Sequence, residues 1–125
     1  VEPDGKQTIR TFSTGATRDT ENGKYEYGGF LSPLALRRYA AYMHQHRIQA
    51  DGKLRSSSNW KKGIPEAVYL ESLLRHVMDL WLHHDGVGEV ARESVDDALC
   101  GILFNAFGTL HERQKAALAS ADKPI

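Results

Sequence analysis

The sequence predicts an all-α protein: three main helices behind an extended N-terminal arm. Three observations carry this. Apolar residues recur at three- and four-residue spacing in three separate stretches. Turn-forming residues, Asp51-Gly52 and Asp85-Gly86-Val87-Gly88, stand between those stretches. Residues Val1 to Gly29 are rich in glycine, threonine and charge and show no sustained period, so they read as an arm or loop.

Within the arm the one regular element expected is a short strand at Tyr25–Tyr27. Ser32-Pro33 is a helix start, a capping hydroxyl followed by proline at the first helical position. Leu36, Tyr39, Ala40 and Met43 then carry a first helix to about Arg47. Gly52 to Gly63 is a polar loop with three serines. The second helix begins near Pro65 and runs to about His83, with Leu70, Leu73, Leu74, Val77, Leu80 and Trp81 as its core stripe. The third starts between Glu89 and Glu93 and reaches about Ala117. Its core face is Val95, Ala98, Leu99, Ile102, Leu103, Ala106 and Leu110. The chain therefore reads as one domain, 1–125, with an arm at 1–29, a helical core at 30–118 and a frayed tail at 119–125. Three helices make a thin core that leaves Trp60, Tyr69 and Phe104 exposed. A homo-oligomer, dimer or tetramer, would cover that surface.

Composition excludes several classes. There is no apolar run long enough to span a membrane and no apolar segment of the secretory kind near Val1. The single cysteine, Cys100, rules out an internal disulfide framework, fits a reducing cytoplasm and reads as a packing residue. The net charge of +0 hides a split: residues 1–65 hold 11 Lys and Arg against 6 Asp and Glu, residues 66–125 hold 5 against 10. Such halves attract each other, a like chain, or a ligand both anionic and metal-bound. No helix gathers the basic residues as a DNA reader would, so nucleic acid is not an expected partner.

The residues that suit chemistry lie between Asn59 and Asn105. Lys61, Lys62 and Arg55 can neutralise phosphates, and Arg75 can clamp one with two hydrogen bonds. Trp60 offers a flat face for a base, or a plug at the helix start. Glu71, Arg75 and Asp79 follow at four-residue spacing with Ser72 and His76 beside them, away from the leucines. A solvated face laced by Glu71–Arg75 and Arg75–Asp79 pairs explains this as well as a site does. Glu93, Asp96 and Asp97 open the third helix, where acidic residues also favour the helix dipole. Mg²⁺ prefers hard oxygen ligands and shares carboxylates with substrate phosphates. Glu71 with Glu93 and Asp96 or Asp97 could supply such a set. Antiparallel helices, however, place the start of one beside the end of the next. Glu71 and Glu93 therefore meet only across a longer connection or with a partner chain's help. His83-His84-Asp85 with His76 is too tightly spaced for a His…His-Asp hydrolase, and His44 and His46 point different ways. No Walker loop and no nucleophile elbow is present.

At these residues the chain resembles a family of small, largely phage-encoded dATP/dGTP diphosphohydrolases related to the all-α MazG-like nucleotide pyrophosphohydrolases. The resemblance covers most of Gly15 to Leu110. Its pieces are Gly15-Ala16-Thr17-Arg18, Gly23-Lys24, Leu31-Ser32-Pro33, Asn59-Trp60-Lys61-Lys62-Gly63-Ile64-Pro65, Tyr69 to His76, and Glu93-Ser94 with Asn105. It implies a MazG-like helical oligomer, in a host cytoplasm if phage-encoded, that hydrolyses purine deoxynucleoside triphosphates to monophosphate and pyrophosphate. Mg²⁺ (or Mn²⁺) would be held by Glu71, Glu93, Asp96 and Asp97. Glu71, Arg75 and His76 would be catalytic, and Arg18, Lys24, Asn59, Trp60, Lys61, Lys62, Tyr69 and Asn105 would contact substrate. The chain departs from the family where Asp96-Asp97-Ala98 and Gly101 replace histidines on the last helix, and where Leu54 to Ser58 replaces a Lys-Tyr step. Two other readings remain: a non-catalytic helical oligomer binding nucleotide or a protein, and a nucleic-acid module using the basic half.

Overall fold

A computed structural model describes residues 9–19 and 23–121, and it is all-α apart from one two-stranded hairpin. The chain divides into two compact units, Val1–Ala35 and Leu36–Ile125.

In the first unit, β1 (Ile9–Thr11) and β2 (Thr17–Asp19) pair antiparallel with Arg10 opposite Arg18. The chain reverses where Phe12 N–H donates to the Ala16 carbonyl (2.8 Å). The strand expected at Tyr25–Tyr27 is not formed. Tyr27 instead opens a single helical turn, α1 (Tyr27–Phe30), in which Phe30 N–H donates to the Glu26 carbonyl (3.1 Å). The two tyrosines favour a strand, but a strand needs a partner, and the local turn satisfies its own backbone. Ser32 caps α2 (Pro33–Gln45) as expected, its Oγ accepting the Ala35 N–H at 3.2 Å.

Most of α2 belongs to the second unit. The helix ends at Gln45, and the chain turns back through Asp51-Gly52, bringing Ile48 against Leu54 in a single antiparallel bridge. A 3-10 turn, Asn59–Lys62, leads into α3 (Glu66–His84). A second 3-10 turn, Gly88–Val90, and a short extended stretch precede α4 (Val95–Ala121). That start falls later than expected because Ser94 is the cap: its Oγ accepts the Asp97 N–H at 3.1 Å. The helix continues through Ser120 and Ala121, where fraying was expected; the remainder of that tail lies outside the described residues.

The two long helices pack antiparallel through a seam that the leucine stripes do not supply. Tyr69 lies on Gly108, Ser72 meets Asn105, and His76 lies on Gly101. Each step of three or four residues along α3 is answered by the same step back along α4. A Cβ at Gly108 would stand 2.2 Å from Tyr69 Cζ, and one at Gly101 would stand 2.5 Å from His76 Nδ1. Only glycine admits these rings, so the backbones come close there. Much of the expected core face of α3 consequently points outward: Leu70, Leu74 and Trp81 are 51%, 53% and 58% exposed, while Leu73 and Leu80 are half-buried. On α4 the expected core residue Ala98 is buried and Ile102 and Leu103 are half-buried, but Val95, Leu99 and Leu110 are exposed, and Cys100, Gly101, Asn105 and Gly108 are buried instead. Tyr69, read as a surface residue, is 1% exposed. Leu70, Leu73, Ala106 and Leu110 border an open groove of about 540 Å³ on the outer side of the pair. α2 adds Tyr42, which is buried, and Tyr39, whose ring meets Phe107 edge-on at 5.9 Å. Among the described residues no helix is long and apolar enough to cross a membrane.

Candidate functional site

One face of α3 is polar and buried. From Tyr69 the seam positions recur at heptad spacing as Ser72, His76, Asp79 and His83. The last three converge on the segment that leads into α4. His76 Nδ1 stands 2.5 Å from Glu93 Oε1, and His83 Nε2 stands 2.6 Å from the Glu93 carbonyl oxygen. Asp79, 2% exposed, is held by its neighbour in that segment, Arg92. Arg92 Nε and Nη2 donate to Asp79 Oδ2 at 2.9 and 2.6 Å, and the Arg92 backbone N–H donates to Oδ1 at 3.1 Å. The donor atoms of His76, Asp79 and Glu93 all lie within 4.8 Å of one another.

The electrostatics follow from these contacts. The Arg92 guanidinium beside Asp79 holds its carboxyl below the usual range against the opposing effect of burial, and Asp79 raises Arg92 in return. Oxygens of Asp79 and Glu93 also lie within 4.8 Å of each other, so two acidic groups share one small volume. Burial, reinforced by the charges of Glu93 and Asp97, pushes the Tyr42 phenol up to about 12, so Tyr42 stays a neutral donor near the group. The Cys100 thiol is raised mainly by burial, which suits a packing residue and not a nucleophile.

The residues expected to form the site are dispersed. Of the expected metal ligands only Glu93 belongs to the group. Glu71 is exposed near the far end of α3, Asp96 is exposed in the first turn of α4, and Asp97 is paired with Arg38 at 2.7 Å. Among the described residues no Glu71–Arg75 or Arg75–Asp79 ion pair forms, because Asp79 turns inward to Arg92. Arg75 stays exposed beside His76 in sequence. On the 3-10 turn, Asn59 and Trp60 are half-buried, Trp60 packs edge-on against His111 at 4.8 Å, and Lys61 Nζ lies 5.5 Å from its ring. Lys62 is exposed, and Tyr69 keeps a hydroxyl with no hydrogen-bond partner. Asn105 is buried and ties the helices, its Nδ2 donating to the Gly101 carbonyl (2.7 Å) and Ser72 Oγ (3.2 Å). Arg18 on β2 and Lys24 are exposed in the first unit. Asp79, His83 and Arg92 were missed as site residues. Their signal was the polar heptad Ser72, His76, Asp79, His83, which a search for leucine stripes passes over.

The donor chemistry tests which ion would fit. Mg²⁺, which the resemblance calls for, prefers six hard oxygens. One imidazole nitrogen, one free carboxylate and one arginine-clamped carboxylate do not make that set. They suit an ion that accepts nitrogen and oxygen together, such as Mn²⁺ or Zn²⁺.

Fold and site together define an all-α protein with a His–Asp–Glu group between two antiparallel helices and the segment joining them. Comparison with protein-family models, with curated proteins and with solved structures finds no match to this chain.

Proposed function

We propose that the chain hydrolyses purine deoxynucleoside triphosphates, dATP and dGTP, to the monophosphate and pyrophosphate. The observation that supports this best is the convergence of His76, Asp79 and Glu93 within 4.8 Å, inside the stretch whose motifs resemble nucleotide pyrophosphohydrolases. In the reaction, water attacks the α-phosphorus and the bond to the α,β-bridging oxygen breaks. Pyrophosphate leaves with that oxygen. Glu93 is a carboxylate placed to take the proton from water, through Oε2, the oxygen that His76 does not meet. A divalent ion held by the group would offset the charge that gathers on the phosphate oxygens. Arg75, next to His76 in sequence and exposed, supplies a cation for the phosphates. Lys61 and Lys62 precede α3, and the ten residues from Glu66 to His76 rise about 15 Å. That is too far for the same phosphate, so the turn with Asn59 and Trp60 suits the base end of an extended nucleotide. The protein works in a cytoplasm, as a homo-oligomer in which a second copy covers the outward apolar face of α3 and α4.

The second reading is a non-catalytic helical oligomer that binds nucleotide or a protein partner. It is favoured by one observation: Asp79 is held by Arg92, and His76 lies against Glu93, so the group also ties α3 to the segment before α4 without any ion. The test is to incubate the protein with Mn²⁺ or Mg²⁺ and each nucleoside triphosphate, then identify the phosphate product. Pyrophosphate from dATP or dGTP, lost in Glu93→Gln at unchanged helicity, supports the hydrolase. No product from any nucleotide with folded protein moves the reading to the binding oligomer.

A further inference from the structure

We infer that His76, Asp79 and Glu93 form a site selective for a borderline first-row divalent ion, Zn²⁺ before Mn²⁺, and that it rejects Mg²⁺. The inference deepens the proposed function, on whose site it rests, and departs from the metal that the family resemblance calls for.

The three ligands come from two rigid sources. His76 and Asp79 are three apart on one face of α3, so their side chains project together. Glu93 comes from the segment before α4, and its backbone is pinned by the His83 imidazole at 2.6 Å. The His76 ring is seated where Gly101 has no Cβ, so it cannot swing toward α4 without striking the backbone. Each donor therefore arrives pre-positioned, which a chance surface cluster does not achieve.

Ligand atoms placed tetrahedrally on one ion at about 2.0–2.2 Å stand about 3.3–3.6 Å apart. His76 Nδ1 and Glu93 Oε1 are at 2.5 Å, so side-chain rotations that part them by about 1 Å open the pair to that spacing. Asp79 divides its oxygens by role. Oδ2 takes both guanidinium hydrogen bonds, whereas Oδ1 takes only the Arg92 backbone N–H at 3.1 Å. Oδ1 keeps a lone pair to face an ion, and Arg92 becomes the residue that orients it. The Asp79 and Glu93 carboxyls each offer an oxygen, and these lie within 4.8 Å of each other. Two carboxylates this close repel, and a divalent ion between them would relieve that beyond the hydrogen bonds that Arg92 gives Asp79 and that His76 makes with Glu93.

Ion choice follows from the donors. Imidazole nitrogen favours Zn²⁺ over Mn²⁺ in the ordinary affinity order, and Mg²⁺ gives up water reluctantly for nitrogen. One histidine and two carboxylates leave an open position, the arrangement of a catalytic and not a structural ion.

The experiment titrates ZnCl₂, MnCl₂ and MgCl₂ separately into the chelator-treated full chain by calorimetry, and follows histidine ring signals by NMR. The expected result is one Zn²⁺ per chain, bound at least tenfold tighter than Mn²⁺, with no saturation by millimolar Mg²⁺. His76 ring signals shift on Zn²⁺ addition while those of His111 do not. Glu93→Gln weakens Zn²⁺ at least 100-fold. Arg92→Lys, which keeps the charge but loses the two-point clamp, weakens it about 10- to 100-fold, the loss usual for a residue behind a ligand. Should Glu93→Gln not fold, the His76 shift in the unaltered chain decides the matter. Binding without a His76 shift, equal affinity for Mg²⁺, or no binding at all overturns the inference. Zn²⁺ bound at His76 with no nucleotide turnover leaves it standing and removes the hydrolase. Mg²⁺-driven turnover with no ion at His76 does the reverse.

Discussion

Gly108→Ala places two opposing effects against each other at one position. An alanine in the middle of α4 gains about 1 kcal/mol of helix propensity over glycine. Its Cβ, however, would lie 2.2 Å from Tyr69 Cζ, 2.4 Å from Cε1 and 2.5 Å from the hydroxyl oxygen. Ordinary contact is more than an ångström longer, so the ring or the helix must move by at least that. The ring has little room, being 1% exposed with Phe104 against its edge at 5.8 Å. Overpacking a filled site costs about 1–3 kcal/mol, and a rigid ring at this distance belongs near the top. The net expectation is a loss of roughly 2 kcal/mol, a fall in Tm of about 8 °C for a chain of this length. Urea denaturation followed by helix signal should show a lower midpoint at unchanged slope. Gly28→Ala, whose Cβ would meet nothing within 4 Å, is the comparison and should change stability little. A Gly108→Ala chain as stable as its parent, or more stable, would refute the close seam and the fold argument built on it.

Three further predictions follow from the same contacts. The Asp79 carboxyl is depressed below its ordinary 3.8, so the stability it contributes is present above that pH and lost as pH falls through the folded value. Asp79→Asn should cost about 2 kcal/mol at neutral pH, and the gap to the parent should close in acid denaturation below about pH 4. The Tyr42 phenol has the opposite sense. Its folded value of about 12 exceeds the ordinary 10.0, so stability is whole below pH 10 and is lost as pH rises through 12. Ultraviolet titration should show Tyr39, Tyr42 and Tyr69 ionising late, Tyr42 together with unfolding; all five tyrosines ionising together near pH 10 in folded protein would contradict this. Finally, Leu74→Glu with Trp81→Glu puts charge on the outward face of α3 while leaving the seam intact. On the proposed oligomer, sedimentation should show a smaller assembly than the parent at unchanged helicity; a parent that is already monomeric, or an unchanged assembly, would remove that face as the interface between copies.

Much of the fold was legible because helices announce themselves locally. Ser32-Pro33, Pro65 and the Asp85-Gly86 break mark their own positions, and α3 lies within a residue of its expected ends. The inward face was not legible. Leucine spacing identifies an apolar stripe, but a stripe can face a core or a second chain with the same period. What turned α3 was Gly101 and Gly108, far along in sequence on the next helix, which let His76 and Tyr69 approach where a leucine ridge could not. The same inversion reorganised the site. Glu93 and His76 were singled out from the sequence and do meet. Glu71, by contrast, is exposed five residues before His76, about 7.5 Å back along the helix axis, and does not join the group. Asp97 is paired with Arg38, which no spacing rule links to it.

The sequence by itself determined that this chain is helical, where its helices begin and break, and which stretch holds its titratable residues. Those properties depend on neighbours within a few positions: caps, breakers and a 3.6-residue period. Only the tertiary structure decided that the polar face of α3 is the buried one, that Asp79 rather than Glu71 joins His76 and Glu93, and that Arg92 clamps it. Those depend on which two surfaces approach most closely, a matter of side-chain volume compared across the chain and not along it.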